Sequence, residues 1–197
     1  MTSRTTAVRR PPRGILVGLV VVCGIVGLAA SGSYARDDES ARATLRGLEG
    51  VWVLISLQMA DGERVGFTQQ QLRTDVELQL RQAGIRILHG VPWRESATGV
   101  ELLYVPVLVV SVHVLPVYKA PMSAFRITVE VYQQGYLQRD PSMSFVATSW
   151  QAHLTGSVGA ANLSTLRGDE GVKKVVDLFI NAYLSVNPGR SLQLGEG

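Results

Sequence analysis

Phe67-Thr68-Gln69-Gln70-Gln71-Leu72-Arg73-Thr74-Asp75-Val76-Glu77-Leu78-Gln79-Leu80-Arg81-Gln82-Ala83-Gly84 reads as a complete helix with both ends written into it. Thr68 is a residue whose hydroxyl accepts from the first orphan N–H groups, and Gln71 three places on closes a capping box. Phe67 before the cap and Leu72 at the fourth helical position form a hydrophobic staple. Leu72, Val76, Leu80 and Ala83 follow at spacings of four, four and three, which puts one apolar stripe on one face. Gly84 supplies the left-handed residue that ends such a helix. The spacing predicts a helix over Gln69–Ala83, and a helix with one greasy face must lie on another layer.

Outward from this helix the chain reads as strands. Val51–Leu57 is a β-branched, apolar run and the first strand, followed by a turn at Asp61-Gly62-Glu63. Ile85–Leu88 gives a short second strand, and Pro92–Gly99 a loop. Leu102–Leu115 is a long extended run in which Pro106 cannot donate to a ladder, so the strand starts late, bulges there or lies at an edge. The chain reverses at Lys119–Ser123. Phe125, Ile127, Val129 and Val131 then alternate with Arg126, Thr128, Glu130 and Tyr132, a strand with one buried face. A turn at Asp140-Pro141-Ser142 precedes a strand over 144–154, and Gly156–Ala161 leads toward a final helix. Val172, Val175, Val176, Phe179 and Tyr183 form that helix's stripe, and Asn187-Pro188 ends it. The expected order is β-α-β-β-β-β-α. It specifies an α+β fold, a two-layer α/β sandwich: a mixed, mainly antiparallel sheet of about five strands with two helices on one face.

The amino-terminal end is of another kind. Arg4, Arg9, Arg10 and Arg13 precede Ile15–Ala30, a run of sixteen uncharged residues, and Ser33 and Ala35 are small residues at the −3 and −1 places of a cut before Arg36. This is the layout of a secretory signal. The run is also short for a spanning helix, which needs roughly 20 residues, so 1–35 is a signal peptide cleaved between Ala35 and Arg36 or an uncleaved anchor. Residues 36–49 read as a polar linker, 50–188 as the single domain and 189–197 as a flexible tail. The expected location is therefore the periplasm or the outside, with an inner-membrane tether through 15–30 if the leader stays. The chain's charge of +3 belongs to the leader. Without those four arginines fifteen basic residues face sixteen acidic ones, which argues against nucleic acid as a partner. The lone cysteine, Cys23, lies in the apolar run behind bulky valines, so neither a lipid anchor nor a disulfide is expected.

Chemistry-bearing residues are scattered. His89, His113 and His153 have no partner at ligand spacing, and no metal or cofactor is expected. Asp75/Glu77 and Asp169/Glu170 do not face each other as acid–base pairs would. Gly156-Ser157-Val158-Gly159 matches no phosphate-binding fingerprint. The residues single out no catalytic group. Trp93 beside Arg94, in a loop, is the candidate partner contact, because Trp and Arg dominate interface hot spots.

Leu72–Leu78 leading into Ala83-Gly84-Ile85, and the ending Asp177–Leu184, resemble a group of small exported bacterial proteins of uncharacterised function. More distantly, the element order resembles envelope domains of the TolB amino-terminal kind, also seen in curli-secretion lipoproteins and penicillin-binding-protein activators. That resemblance implies a non-catalytic domain that binds envelope proteins, or itself. The alternative is a periplasmic small-molecule or lipid-binding domain, enclosed between the apolar meander and the helices.

Overall fold

The computed structural model describes residues 33–59, 66–95, 101–103 and 105–189. The elements are β1 (Ser33–Arg36), α1 (Glu39–Ala43), β2 (Trp52–Met59), α2 (Gln69–Gln82), β3 (Trp93–Glu95), β4 (Glu101–Leu103), β5 (Val107–Pro116), β6 (Met122–Leu137), β7 (Asp140–Gly159), a 3₁₀ segment (Ala160–Arg167) and α3 (Val172–Val186). Five strands form one sheet in the order β1-β7-β6-β5-β2, and β3 and β4 form a separate two-stranded ribbon. Among the described strands of this sheet β2 and β5 pair in parallel and the other neighbours antiparallel. A parallel pair needs a long crossover, and the stretch carrying α2 supplies it. The α+β sandwich read from the sequence is the observed architecture, with α2 against β2 and α3 against β6 and β7.

The alternation along each strand decides which face is buried. Val53 and Ile55 on β2, Leu108, Val110 and Val112 on β5, Ile127, Val129 and Val131 on β6, and Trp150, Ala152 and Leu154 on β7 all point at the helices. They meet Leu72, Val76 and Leu80 from α2, and Val172, Val175, Val176, Phe179 and Tyr183 from α3. The opposite face carries Ser56, Ser111, Thr128 and His153 in a single row.

The capping of α2 is as its sequence dictates. Thr68 Oγ1 accepts from the Gln71 N–H, and Gln71 Oε1 accepts from the Thr68 N–H. At the other end Ile85 N–H donates to Leu80 O and Gly84 N–H to Arg81 O, with Gly84 at φ +76°. That is a Schellman stop, closed by the buried pair Leu80 and Ile85.

Four expectations are corrected. Residues 36–49 are not a linker: α1 and the turn after it belong to the domain. Leu45 is fully buried and Ala41 nearly so. Tyr183 Oη donates to Leu48 O, Asn187 Nδ2 to Leu45 O, and Asn187 Oδ1 accepts from Gly47 N–H. The segment is therefore stitched to the end of α3. Ile85–Leu88 is not a strand of the sheet; it makes a single parallel bridge, Val51 with Ile87, before Gly90 at φ +103° turns the chain away. Part of the Pro92–Gly99 loop is β3, whereas the late strand start expected from Pro106 is observed. Pro106 lends only its carbonyl, to Trp52 N–H, and β5 starts one residue later. Finally, the β6–β7 turn lies at Gln138-Arg139 rather than at Asp140-Pro141-Ser142, so this hairpin is longer at both ends than its alternating core.

The Ala35–Arg36 bond lies within β1, whose backbone pairs with Gln151–Leu154 of β7. A cut there would remove three of the four residues of β1. Residues 1–32, the Asp61-Gly62-Glu63 turn and 190–197 lie outside the described residues. Among the described residues no helix is long and apolar enough to cross a membrane.

Candidate functional site

Three carboxylates, Asp37, Asp75 and Glu77, are held by neighbouring arginines. Trp150 is fully buried, and its indole N–H donates to Asp37 Oδ1 at 3.1 Å. The Arg42 guanidinium grips the same carboxylate with bonds of 2.7 and 2.5 Å. Arg42 holds Asp37 below the ordinary carboxylate range, against the opposing effect of burial. Asp75 is held down in the same way by Arg167, which bridges α2 to the segment before α3. Burial pushes Glu77 up, but Arg73 and Arg81 on either side outweigh it and the net direction is downward. A general acid needs a carboxyl pushed the other way. These three are structural anions.

The histidines stand apart. His89 is exposed after the β2 bridge, His113 faces Arg126 across β5 and β6, and His153 faces Thr128 across β7 and β6. Among the described residues no three His, Cys, Asp or Glu side chains converge as metal ligands would. No buried side-chain polar atom there lacks a partner.

Trp93 is on β3, not in a free loop. It is 41% exposed, and its ring meets Trp52 edge-on at 5.8 Å. Trp52 is pinned in turn by its indole N–H to Gly90 O and by Arg73 over its ring. The backbone of Arg94 lies in β3, but its side chain is outside the described set, so the expected Trp93–Arg94 pairing has no geometry here. A groove of about 450 Å³ runs between α2, the 3₁₀ segment and α3, floored by Val76, Leu78 and Val172 and edged by the Asp75–Arg167 pair.

The larger apolar exposure, which the sequence reading missed, is on two hairpins. Tyr136, Met143, Phe145 and Val146 are exposed on the outer half of the β6–β7 hairpin. The register pairs Gly135 with Phe145, Gln134 with Val146 and Tyr136 with Ser144. A methyl at Gly135 would come within 2.8 Å of the Phe145 ring, so the ring lies over the glycine and is held while one face stays in water. Gln133 Nε2 bonds Ser149 Oγ and Thr44 O at the root of this arm, which fixes it to the body. At the opposite end, Leu115, Val117, Tyr118 and Met122 are exposed around the β5–β6 turn. The aromatics were legible in the sequence; their emergence at a hairpin end, with Tyr136 and Val146 on one face of the arm and Phe145 on the other, was not.

No family model matches the chain, and no curated protein matches it. Among solved structures it is similar to a PelC dodecamer from Paraburkholderia phytofirmans, at 16% identity and a TM-score of 0.42 over 75% of this chain and 96% of that one. A likeness of that size bears on neither fold nor assembly.

Proposed function

We propose that this chain is an exported, non-catalytic domain of the bacterial envelope that works by binding protein through its β6–β7 arm. The observation that carries the reading is the arm itself. It sets Tyr136, Met143, Phe145 and Val146 in water on a hairpin braced at its root, and aromatic and Met side chains are those enriched where proteins meet. The carboxylates of Asp37 and Asp75, each clamped by an arginine, support a binding role over a chemical one. The export half rests on the sequence of 1–35.

A photo-reactive residue placed at Phe145 tests this in the native cell. Discrete adducts at Phe145 that are absent when the same group replaces exposed Gln70 on α2 are expected. An adduct of twice the chain's mass would identify self-association as the binding. Identical patterns at both positions would sink the proposal.

A second reading has one observation behind it. The groove beside α2 has a volume within the range of small-molecule sites, about 300–1,000 Å³. Native mass spectrometry of protein from its own host should then show a bound small molecule that is lost on Leu78→Asp substitution, and a bare mass would count against it.

A further inference from the structure

We infer that the β5–β6 turn is a membrane-contacting loop that dips into the same bilayer face as the amino-terminal apolar run, so that the domain stands on the membrane with its arm pointing away. The inference rests on residues 15–30 being a membrane segment that stays attached; the direction of β1 then fixes which end of the sheet is down. Ser33 pairs with Leu154, and β1 runs antiparallel to β7. β1 therefore begins at the end of the sheet nearer Thr155–Gly159. Three peptide steps separate Ala30 from Ser33, about 10 Å of extended chain at most. Ala30 is therefore no farther than that from the start of β1.

That end of the sheet is where the β5–β6 turn lies. Gly159 pairs with Met122 and Ser157 with Ala124, which in turn pairs with Leu115. The turn protrudes from this end with Leu115 63% and Tyr118 84% exposed. Its composition is that of a bilayer interface: aliphatic side chains, an amphipathic Tyr, and a Lys long enough to reach headgroups. Lys119 Nζ lies 5.0 Å over the Tyr118 ring, at a backbone φ of +57°. From Leu115 to Thr128 the chain has two basic residues, Lys119 and Arg126, and no acidic one, which suits anionic lipid. A protein partner would be satisfied by the same apolar atoms. The reach of the chain from Ala30 is what favours lipid.

β6 runs the whole distance between the two apolar tips. Its sixteen residues span roughly 50 Å at strand rise. If the β5–β6 turn is in the bilayer, Tyr136 and Phe145 are held that far from it.

The test uses the full chain with Cys23→Ser, carrying a single new cysteine at Tyr118→Cys or Tyr136→Cys labelled with an environment-sensitive dye. Both native side chains are largely in water, so the label need not disturb packing. The protein is reconstituted into vesicles of phosphatidylethanolamine and phosphatidylglycerol at three to one. The dye at 118 should shift to the blue, be quenched by doxyl groups on the acyl chains, and be several-fold less accessible to iodide than the dye at 136. Equal iodide access at 118 and 136 in protein that floats with the vesicles overturns the loop contact while leaving the anchor in place. Failure to float removes both. Shielding at 118 that grows with protein concentration and ignores the doxyl lipids assigns the loop to a second protein chain and overturns the inference. None of these outcomes depends on whether the arm binds a partner.

Discussion

A single carboxylate, Asp37, closes the edge of the core. It accepts the indole N–H of buried Trp150 and holds Arg42 in the last turn of α1. Asp37→Ala leaves that indole donor buried without a partner, which costs about 1–3 kcal/mol; urea unfolding measures it. Asn187 does comparable work at the end of α3, joining Leu45, Gly47 and Tyr183 through three bonds. Asn187→Ala should lower the urea midpoint by an amount of the same order, and Asn187→Asp, which keeps the acceptor for Gly47 N–H but turns a carboxylate oxygen toward the Leu45 and Tyr183 carbonyls, should cost at least as much. Stability should also depend on acid. Asp37, Asp75 and Glu77 have folded-state pKa values below their ordinary ones. Their contribution is complete above the unfolded carboxylate values, about pH 4, and is lost as pH falls through the depressed folded values. The ion pairs are partly exposed, so the loss is modest and shrinks with added salt. A urea midpoint that rises between pH 5 and pH 3 would contradict this assignment.

At the scale of elements, what was legible in the sequence was what is locally encoded. α2 was readable end to end because its cap, stripe and stop all lie within eighteen consecutive residues. Thr68→Ala should remove about 1 kcal/mol, measured by thermal or urea unfolding. α1 was missed because it has five residues and one buried side chain, Ala41, and the apolar Leu45 and Leu48 that continue its spacing lie in the turn after it, amid charged neighbours. The i, i+4, i+7 spacing was present, but its partner surface on α3 is far away in sequence. The strand over 144–154 was read, but the rest of the outer arm was missed because Gln133-Gln134-Gly135 and Asp140–Met143 lack the alternation that marked Phe125–Val131; pairing across the hairpin, not propensity, makes them strand. Trp93 was found in sequence as exposed, but its anchoring on Trp52 joins β2 to β3 and no spacing signals that. The same long-range logic bears on the leader. Because Ala35–Arg36 lies inside β1, protein from the native host should have an amino terminus upstream of Ser33. Intact-mass determination checks this, and a start at Arg36 would contradict it.

At the scale of the molecule, the apolar surface is distributed by hairpin. The core is satisfied on one face of the sheet by α2 and α3, and eight of the twelve exposed large apolar side chains among the described residues gather at opposite ends of β6. Neither end helps the fold much, since a half-exposed side chain contributes little burial. That separation lets function be removed without unfolding. The double variant Tyr136→Ser, Phe145→Ser should melt within a few degrees of the wild type.

The most direct measurement is chemical cross-linking of the tagged, full-length wild type and of this double variant in the native envelope, with melting temperatures taken in parallel. The account predicts a specific adduct with the wild type, its loss in the variant, and matching melting temperatures. A specific adduct that survives in a variant of unchanged stability would contradict the assignment of binding to the arm.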